Sequence, residues 1–296
     1  MPDILDKRLL DDRAQSGFAL LAVLGLMMLV SILLISFSTS ARLRALTADN
    51  ALRAFSYAEM GDVITRHVAE RILTAGNIIP VRMLRIPDTN DCVLGEYSIL
   101  LAVQDHAGLI DLNAAGLPLI AVGFQSLGFS KEQAASLALA TDSYRRSDRK
   151  LSAGSDPAIP YKHATFEDVS ELLDFPELQT FSPADISGVF TVQSQAGTLS
   201  MDAASDAVRS VASAYSDGVL PLIALRTRPR ALTVVASIRR GETFISTSAA
   251  IFRYAGNKVV YAGAVSAQAT ELPGDYLPCR QFMDASMLAA IGEVLQ

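Results

Sequence analysis

The sequence predicts an α+β fold, in which a long N-terminal helix packs on an antiparallel sheet and a large all-α domain is inserted between the first strand and the last ones. Three observations predict it. An uncharged apolar run near the N-terminus continues into an amphipathic segment, the middle of the chain has helical periodicity, and its last third alternates as strands do. The 296 residues are enough for an anchor followed by one large or two modest domains.

The apolar run, Phe18–Ala41, is the segment around which the rest of the chain is organised. It contains no charged residue, and its first 20 residues would form a helix about 30 Å long, the thickness of the hydrocarbon core of a bilayer. The run is too long for a secretory signal peptide, although Ser38–Ala41 is similar to a cleavage site. We therefore expect residues 18–41 to be a permanent single membrane span.

The helix is expected to continue beyond the membrane. No proline occurs between Phe18 and Ile79, and Gly76 followed by Pro80 is typical of a helix end. The pattern predicts one helix from Phe18 to about Leu73. The apolar positions of its second half are Leu43, Leu46, Leu52, Phe55, Val63, Ile64, Val68 and Ile72.

Strand patterns occur on both sides of the helical middle. Val93–Asp105 predicts one strand, and residues 231–267 predict three more. The last three are separated by Arg240-Gly241 and Gly256-Asn257, pairs that fit hairpin turns, so they form an antiparallel meander. Its apolar face is expected to cover the amphipathic part of the long helix.

Two similar segments flank the helical middle. Motif 1 is Ala107–Ala115 (AGLIDLNAA) and motif 2 is Ala196–Ala204 (AGTLSMDAA), and they align without gaps 89 residues apart. In each we expect a turn at the glycine, a short strand, and a cap on the next helix from Asn113 or Asp202. A chance match in an alanine-rich chain is the alternative.

The segment between the motifs is predicted to form a compact all-α unit. Its second helix begins with the capping-box pair Ser130 and Gln133, and its third with a cap from Thr165. The predicted helices are 117–127, 131–144, 166–173, a short one from Ser182-Pro183, and 205–215 after motif 2.

No sequence motif for catalysis is present, so we expect no enzyme: there is no Gly-x-Ser-x-Gly, P-loop, dinucleotide fingerprint or His-Glu-x-x-His. His67, His106 and His163 are far apart and are expected to be surface or structural residues. The net charge of −6 argues against a nucleic-acid surface.

Two groups of residues leave alternatives open. Cys92 and Cys279 either pair in an oxidising compartment or remain two buried thiols. Loop carboxylates offer oxygen ligands for calcium, but their spacing matches no known calcium loop, so ordinary solvated charges are favoured. These carboxylates are Asp88 with Asp91, and Asp142 with Asp148 and Asp156.

The N-terminus resembles the class III signal of type IV pilins and type II secretion pseudopilins, because a polar leader ends in Gly17 and an apolar helix begins at Phe18. The resemblance implies that prepilin peptidase cleaves after Gly17. The fifth mature residue, a glutamate in most members, is Ala22 here. Its absence is typical of the minor pseudopilin K family.

The rest of the chain strengthens this resemblance. Gly108–Ala115 matches the family's Gly-x-Ile-Asn-Leu-Asn-Thr-Ala segment well, and Gly197–Ala204 matches it loosely. Phe166–Leu173 is similar to the segment before the family's hairpin, where Pro176-Glu177 replaces the usual Pro-Gly. The resemblance implies a pilin-like fold with a leader at 1–17, a membrane part at 18–41, a periplasmic helix and first strand at 42–113, an inserted α-helical domain at 114–204, and a helix and final strands at 205–296.

The same resemblance implies a function. It is that of a non-enzymatic minor pseudopilin at the tip of a pseudopilus, spanning the bacterial inner membrane once with its bulk in the periplasm. The implied partners are the I and J type minor pseudopilins, prepilin peptidase and the inner-membrane secretion platform. No cofactor is implied, with calcium left open because some relatives bind it.

Two alternatives remain at this point. One is a minor pilin of a type IV pilus. The other is a membrane-tethered helix-hairpin-helix module that binds DNA, whose hairpin glycines fit poorly with Val122-Gly123-Phe124 and Pro176-Glu177-Leu178.

Overall fold

The computed structural model divides the chain into two units, Met1–Phe55 and Ser56–Gln296. It describes residues 3–74, 93–146, 162, 164–215, 220–223, 229–265 and 283–295, with side chains from residue 20 onward. The α-helices are α1 (Asp3–Thr74), α2 (Leu117–Ser126), α3 (Lys131–Arg145), α4 (Pro183–Ser187), α5 (Asp206–Ser213) and α6 (Ala285–Leu295). The strands are β1 (Val93–Leu94), β2 (Tyr97–Asp105), β3 (Ile110–Asp111), β4 (Phe190–Thr191), β5 (Leu199–Ser200), β6 (Leu222–Ile223), β7 (Ala231–Arg240), β8 (Thr243–Ala255) and β9 (Lys258–Ala264). Within the described residues, 3-10 helices cover His106–Gly108, Val169–Asp174 and Pro176–Leu178.

Helix α1 belongs to both units. It ends at Thr74, close to the predicted Leu73, but it begins at Asp3 and not at Phe18. The predicted start was wrong because the leader contains no helix breaker after Pro2, and its Leu, Lys, Arg, Ala and Gln residues favour helix. The leader is therefore helical in the uncleaved chain.

In the second unit, α1 packs on the five-stranded sheet. Ile64 and Val68 are fully buried, and Ile72 is buried as predicted, so one row of residues four apart faces the sheet. Val63 was predicted to share this row, but 59% of it is exposed because it lies one residue, or about 100°, away from Ile64. The other apolar side chains of this sheet core are Met60, Ala69, Leu73, Ile99, Leu101, Leu232, Val234, Ala236, Ile238, Ala250, Phe252, Met283, Ile291 and Leu295.

The sheet is antiparallel throughout, with the strand order β1-β2-β7-β8-β9. The predicted meander of β7, β8 and β9 is confirmed, and its turns contain Gly241 and Gly256 with φ of +58° and +65°. The predicted first strand is instead a hairpin of β1 and β2, because Gly95 adopts a φ of +64° and turns the chain.

A large insert, residues 106–230, connects β2 to β7. These two strands are hydrogen-bonded neighbours, and Asp105 at the end of β2 is paired with Leu232 near the start of β7. The chain therefore leaves the sheet and returns to it at adjacent positions, so the insert takes the place of a hairpin loop.

The insert has its own hydrophobic core. Phe124, Leu137, Leu172 and Phe190 from separate elements are buried in it. Helix α5 packs here through Val208 and Ala212, so this core extends past residue 204, the expected boundary. The described residues of the insert are mainly helical where they are regular, and they also form short parallel strand pairs, β3 with β4 and β5 with β6.

The serine caps predicted for the helices of the insert are confirmed, but the predicted threonine cap is not. Ser130 and Gln133 form the predicted capping box of α3, and Ser182 and Ser205 cap α4 and α5. The predicted cap from Thr165 was wrong. Asp168 caps a 3-10 helix that begins at Val169, since its carboxylate accepts the Ser170 amide at 2.8 Å.

Candidate functional site

The first candidate site is the apolar part of α1. In the first unit every residue from 20 to 55 is exposed, and the helix is long and apolar enough to cross a membrane. Three of its hydroxyl groups bond within the helix: Ser31 donates to the Met27 carbonyl at 2.8 Å, Ser36 to the Leu33 carbonyl at 2.9 Å, and Thr39 to the Ile35 carbonyl at 3.0 Å. A helix whose polar groups are paired internally is suited to lipid.

The residues of the predicted peptidase signal lie on this helix. Gly17 and Phe18 fall in the part of α1 whose side chains are outside the described residues, so cleavage between them stays a prediction. Ala22 is exposed on the helix surface. A side chain at this position therefore contacts whatever surrounds the helix, either lipid or a neighbouring subunit.

Exposed apolar side chains continue past the predicted membrane edge. Leu43, Leu46, Leu52 and Phe55 are exposed by 65%, 54%, 67% and 63% within the first unit. At about 100° per residue they lie on several sides of α1, with Leu52 opposite Leu43. Large exposed apolar side chains beyond a membrane edge are typical of a surface that other protein segments cover.

Of the predicted cation ligands and cysteines, only Asp142 lies in the described part of the chain. Asp142 is buried and paired with Arg145 and Arg146, both at 2.8 Å, so it is no free ligand. No group of three His, Cys, Asp or Glu residues suited to a metal ion is found in the described part of the chain. The remaining calls on Cys92, Cys279, Asp88, Asp91, Asp148, Asp156 and His163 lie outside it.

The second candidate site is the insert, where the two motifs form matching structures. Ile110 and Leu199 occupy the same position in their motifs, and their amides donate to the carbonyls of Val189 at 2.9 Å and Pro221 at 3.1 Å. The match continues two residues later. The amides of Leu112 and Met201 donate to the carbonyls of Thr191 and Ile223 at 2.8 and 3.2 Å.

The match also covers the turn and the helix that follow each strand. The Ala115 amide donates to the Asp111 carbonyl at 2.8 Å, and the Ala204 amide donates to the Ser200 carbonyl at 3.0 Å. Helices α2 and α5 then begin at residues 117 and 206, again 89 residues apart. The two motifs therefore form a repeated strand–turn–helix unit, which a chance match in the sequence would not explain.

The two motifs contact each other reciprocally through their glycines. A Cβ atom at Gly108 would collide with the backbone of Ala203, and one at Gly197 would lie 2.9 Å from the Ala114 carbonyl oxygen. Ala114 and Ala203 occupy the same position in their motifs. Each turn therefore lies against the glycine that begins the other motif, as in an isologous interface.

The predicted caps from Asn113 and Asp202 were wrong. Gly116 and Ser205 are the N-cap residues of α2 and α5. Asn113 instead binds the backbone of Phe166, accepting from its amide at 2.8 Å and donating to its carbonyl at 2.9 Å. Its short polar side chain ties the first turn to a distant segment.

Asp111 is a site residue that the sequence analysis missed. Its buried carboxylate accepts four hydrogen bonds, from the amides of Asn113, Ala114 and Gln195 and from the Ser194 hydroxyl, at 2.8–3.0 Å. Gln195 has a φ of +50°, and it lies directly before motif 2. Asp111 therefore fixes both its own turn and the start of the other motif.

His106 links the insert to the sheet. Its Nδ1 lies 2.7 Å from the Thr191 hydroxyl of β4, and its Nε2 lies 2.8 Å from the Thr233 hydroxyl of β7. Burial lowers the pKa of His106 to about 4, so the imidazole is neutral at pH 7. The expectation of a structural histidine is confirmed for this residue.

A polar cluster closes the insert at another place. The Tyr144 hydroxyl donates to Glu171 at 3.1 Å, and Lys162 donates to the same carboxylate at 3.0 Å. Burial and the Glu171 carboxylate raise the pKa of Tyr144 to about 12. Tyr144 also stacks on Phe166 with ring centroids 4.7 Å apart. The Glu171 carboxylate is paired with Lys162 and Tyr144, so the cluster has the arrangement of a structural contact.

Comparisons with known proteins were made against this geometry. No protein-family model and no curated protein matches the chain. Among solved structures, it is similar to a chain in the crystal structure of the GspK-GspI-GspJ complex from the type 2 secretion system of enterotoxigenic Escherichia coli. The TM-score is 0.48 and the sequence identity 9%, over 76% of this chain and 100% of that one. A likeness at this level assigns no function, so the function rests on the features of the chain itself.

Proposed function

We propose that this chain is a non-enzymatic minor pseudopilin of a type II secretion system, anchored in the bacterial inner membrane with its bulk in the periplasm. One observation carries the proposal: α1 is a single helix whose first part is apolar and exposed and whose last part packs on an antiparallel sheet. The leader ending at Gly17, with its resemblance to the class III signal, supports it.

The physics of such a subunit requires helical partners. An apolar helix leaves the bilayer only if neighbouring helices replace the lipid around it. The exposed side chains of Leu43, Leu46, Leu52 and Phe55 extend that requirement beyond the membrane. We therefore assign these side chains to contacts with other minor pseudopilins, of the I and J type, which would assemble on the inner-membrane platform.

Two features support a position at the pseudopilus tip. The insert adds more than one hundred residues at one end of the sheet, and such a bulk would obstruct a further subunit above it. Ala22 stands where a carboxylate would need a partner amine from the next subunit. A carboxylate in a lipid-like bundle costs several kcal/mol unless it is paired, and a terminal subunit has no such neighbour.

The test of the class III signal is N-terminal sequencing of the full chain from membranes. With active prepilin peptidase we expect the mature protein to begin at Phe18. Substitution of Gly17 by a bulky residue, such as Gly17→Leu, should leave the leader attached, whereas Ala14→Leu is a matched control in the leader that should still be cleaved. A mature N-terminus near Ser40 would overturn the pseudopilin proposal.

The test of the tip position is Ala22→Glu, with Ala22→Leu as the apolar control. We expect Ala22→Glu to impair secretion modestly and Ala22→Leu to leave it unchanged. If glutamate improved assembly, the subunit would be an ordinary internal one. Secretion with no dependence on this chain would instead favour a type IV pilus subunit.

A further inference from the structure

Two arginines bind the same pair of carbonyl groups in the two motifs. Arg145 donates to the carbonyls of Leu112 and Ala115 at 2.6 and 2.8 Å. Arg209 donates to the carbonyls of Met201 and Ala204 at 3.0 and 2.6 Å. Leu112 and Met201 are equivalent positions, as are Ala115 and Ala204, so each guanidinium spans the same turn of its motif.

The two arginines reach these turns from different parts of the fold. Arg209 lies in α5, the helix that directly follows motif 2. Arg145 lies at the end of α3, which is one helix farther from motif 1. The arginines are therefore not equivalent in the sequence repeat, although their hydrogen bonds are equivalent.

Each arginine is also held by an aspartate three residues earlier in its helix. Asp142 accepts from Arg145 at 2.8 Å, and the side chains of this pair are only 6% and 12% exposed. Asp206 accepts from Arg209 at 2.7 Å, and its side chain is 89% exposed. The pair on motif 1 is therefore held more firmly, because solvent screens the exposed pair.

The reciprocal contact between the motifs connects the two turns. Ala114, inside the turn that Arg145 holds, lies against Gly197 at the start of motif 2. Ala203, inside the turn that Arg209 holds, lies against Gly108 at the start of motif 1. When one turn opens, it uncovers the glycine from which the other motif begins.

We propose that Arg145 and Arg209 are a coupled pair of latches, each of which closes one turn on the glycine of the other motif, so that the insert opens at both turns together. This inference does not depend on the secretion role, since it concerns only how the insert holds itself. The insert would then open cooperatively, so that a substitution at the end of α3 would also change the opening of the turn that α5 holds.

The experiment is hydrogen–deuterium exchange on the full chain in detergent micelles. The reporters are the Ala115 and Ala204 amides, which make equivalent hydrogen bonds inside the two turns. We expect Arg145→Met to speed the exchange of Ala115 on the order of 100-fold and that of Ala204 on the order of 10-fold. Arg209→Met should speed the exchange of both amides on the order of 10-fold. In the double variant, the increase in exchange rate should be smaller than the product of the increases in the two single variants.

Arg146→Met is the matched control, since Arg146 binds the same aspartate at 2.8 Å but makes none of these carbonyl contacts. It should leave both reporters unchanged. If Arg145→Met does not fold, Arg145→Lys keeps the ion pair with Asp142 but cannot span both carbonyls, and it should speed both reporters. Faster exchange confined to the mutated motif, with effects that multiply in the double variant, would overturn the proposal.

Discussion

In the sheet core, the elements are joined by apolar side chains, whereas in the insert the turns are fixed by buried polar groups and by close backbone contacts. Ile64 and Val68 of α1 meet a sheet face on which apolar side chains such as Leu232, Val234 and Phe252 predominate. In the insert, Asp111, His106 and Arg145 bind backbone or hydroxyl groups far away in the sequence. Arg209 binds carbonyls of motif 2, the segment just before its own helix. An apolar core tolerates small changes in side-chain shape, whereas a buried polar network loses most of its stabilising free energy when one hydrogen-bond partner is removed.

The largest loss of stability is expected from adding one methyl group at Gly108. Gly108→Ala places a Cβ atom against the Ala203 backbone, which no side-chain rotation relieves. We expect a loss of at least about 4 kcal/mol in the free energy of unfolding, or no folded insert. Urea denaturation of residues 42–296 measures it, and a variant as stable as wild type would show that the two motifs are not in contact.

The next effect is expected at the Asp111 carboxylate. Asp111→Ala removes the acceptor of four hydrogen bonds and should lower the free energy of unfolding by about 3 kcal/mol. Ser200 is its equivalent in motif 2, and it is buried without such a network, so Ser200→Ala should cost less than about 1 kcal/mol. Equal losses in the two variants would contradict the difference between these motifs.

The junction between the two cores should be sensitive to acid. The pKa of His106 is about 4 in the folded chain and 6.5 as its ordinary value, so the unfolded chain binds the proton first as the pH falls. Stability is complete above about pH 6.5 and is lost progressively towards pH 4, by about 3 kcal/mol in total.

His106→Gln removes this titration and should flatten the pH dependence of the unfolding free energy between pH 6.5 and 4. No charged side chain contributes to the shift, which burial alone produces. An unchanged slope in His106→Gln would mean that the imidazole is not buried at the junction.

Among the glycine variants, the smaller loss of stability is expected in the sheet core, at Gly61. A Cβ atom there meets the side chain of Ser248, where α1 approaches β8 and the Ser248 hydroxyl donates to the Ala58 carbonyl at 3.3 Å. Gly61→Ala should cost about 2 kcal/mol, because the obstacle is mainly a small side chain and the strand can shift slightly. Thermal unfolding of Gly61→Ala beside Gly108→Ala tests the ranking directly, and a reversed order would contradict the comparison between the two cores.

The same comparison explains what the sequence could predict. The three long C-terminal strands, α2, α3 and the capped start of α5 depend on local patterns, namely alternation, helical spacing and a serine at the N-cap. They were predicted within one or two residues. Helix α6 was missed although Asp284 accepts the Met287 amide at its start, a local capping signal that was present in the sequence.

The polar contacts of the insert could not be predicted in this way. Asp111 and Gln195 are 84 residues apart, and His106 and Thr233 are 127 apart, so no local pattern connects them. The motif repeat was visible in the sequence, but Asn113 and Asp202 were given the role of helix caps. The structure instead uses the residue two positions before Asn113, because only Asp111 lies where its carboxylate reaches both motifs.

The place of the insert in the sheet has a consequence for how such a molecule changes over evolutionary time. Since Asp105 and Leu232 are paired neighbours, the ends of the insert are as close together as the ends of a short loop. A sheet with β2 joined directly to β7 would be complete, and a domain of any size is accommodated at this point without disturbing the strands. The insert can thus be exchanged, enlarged or lost as a module while the helix and sheet that anchor it stay the same.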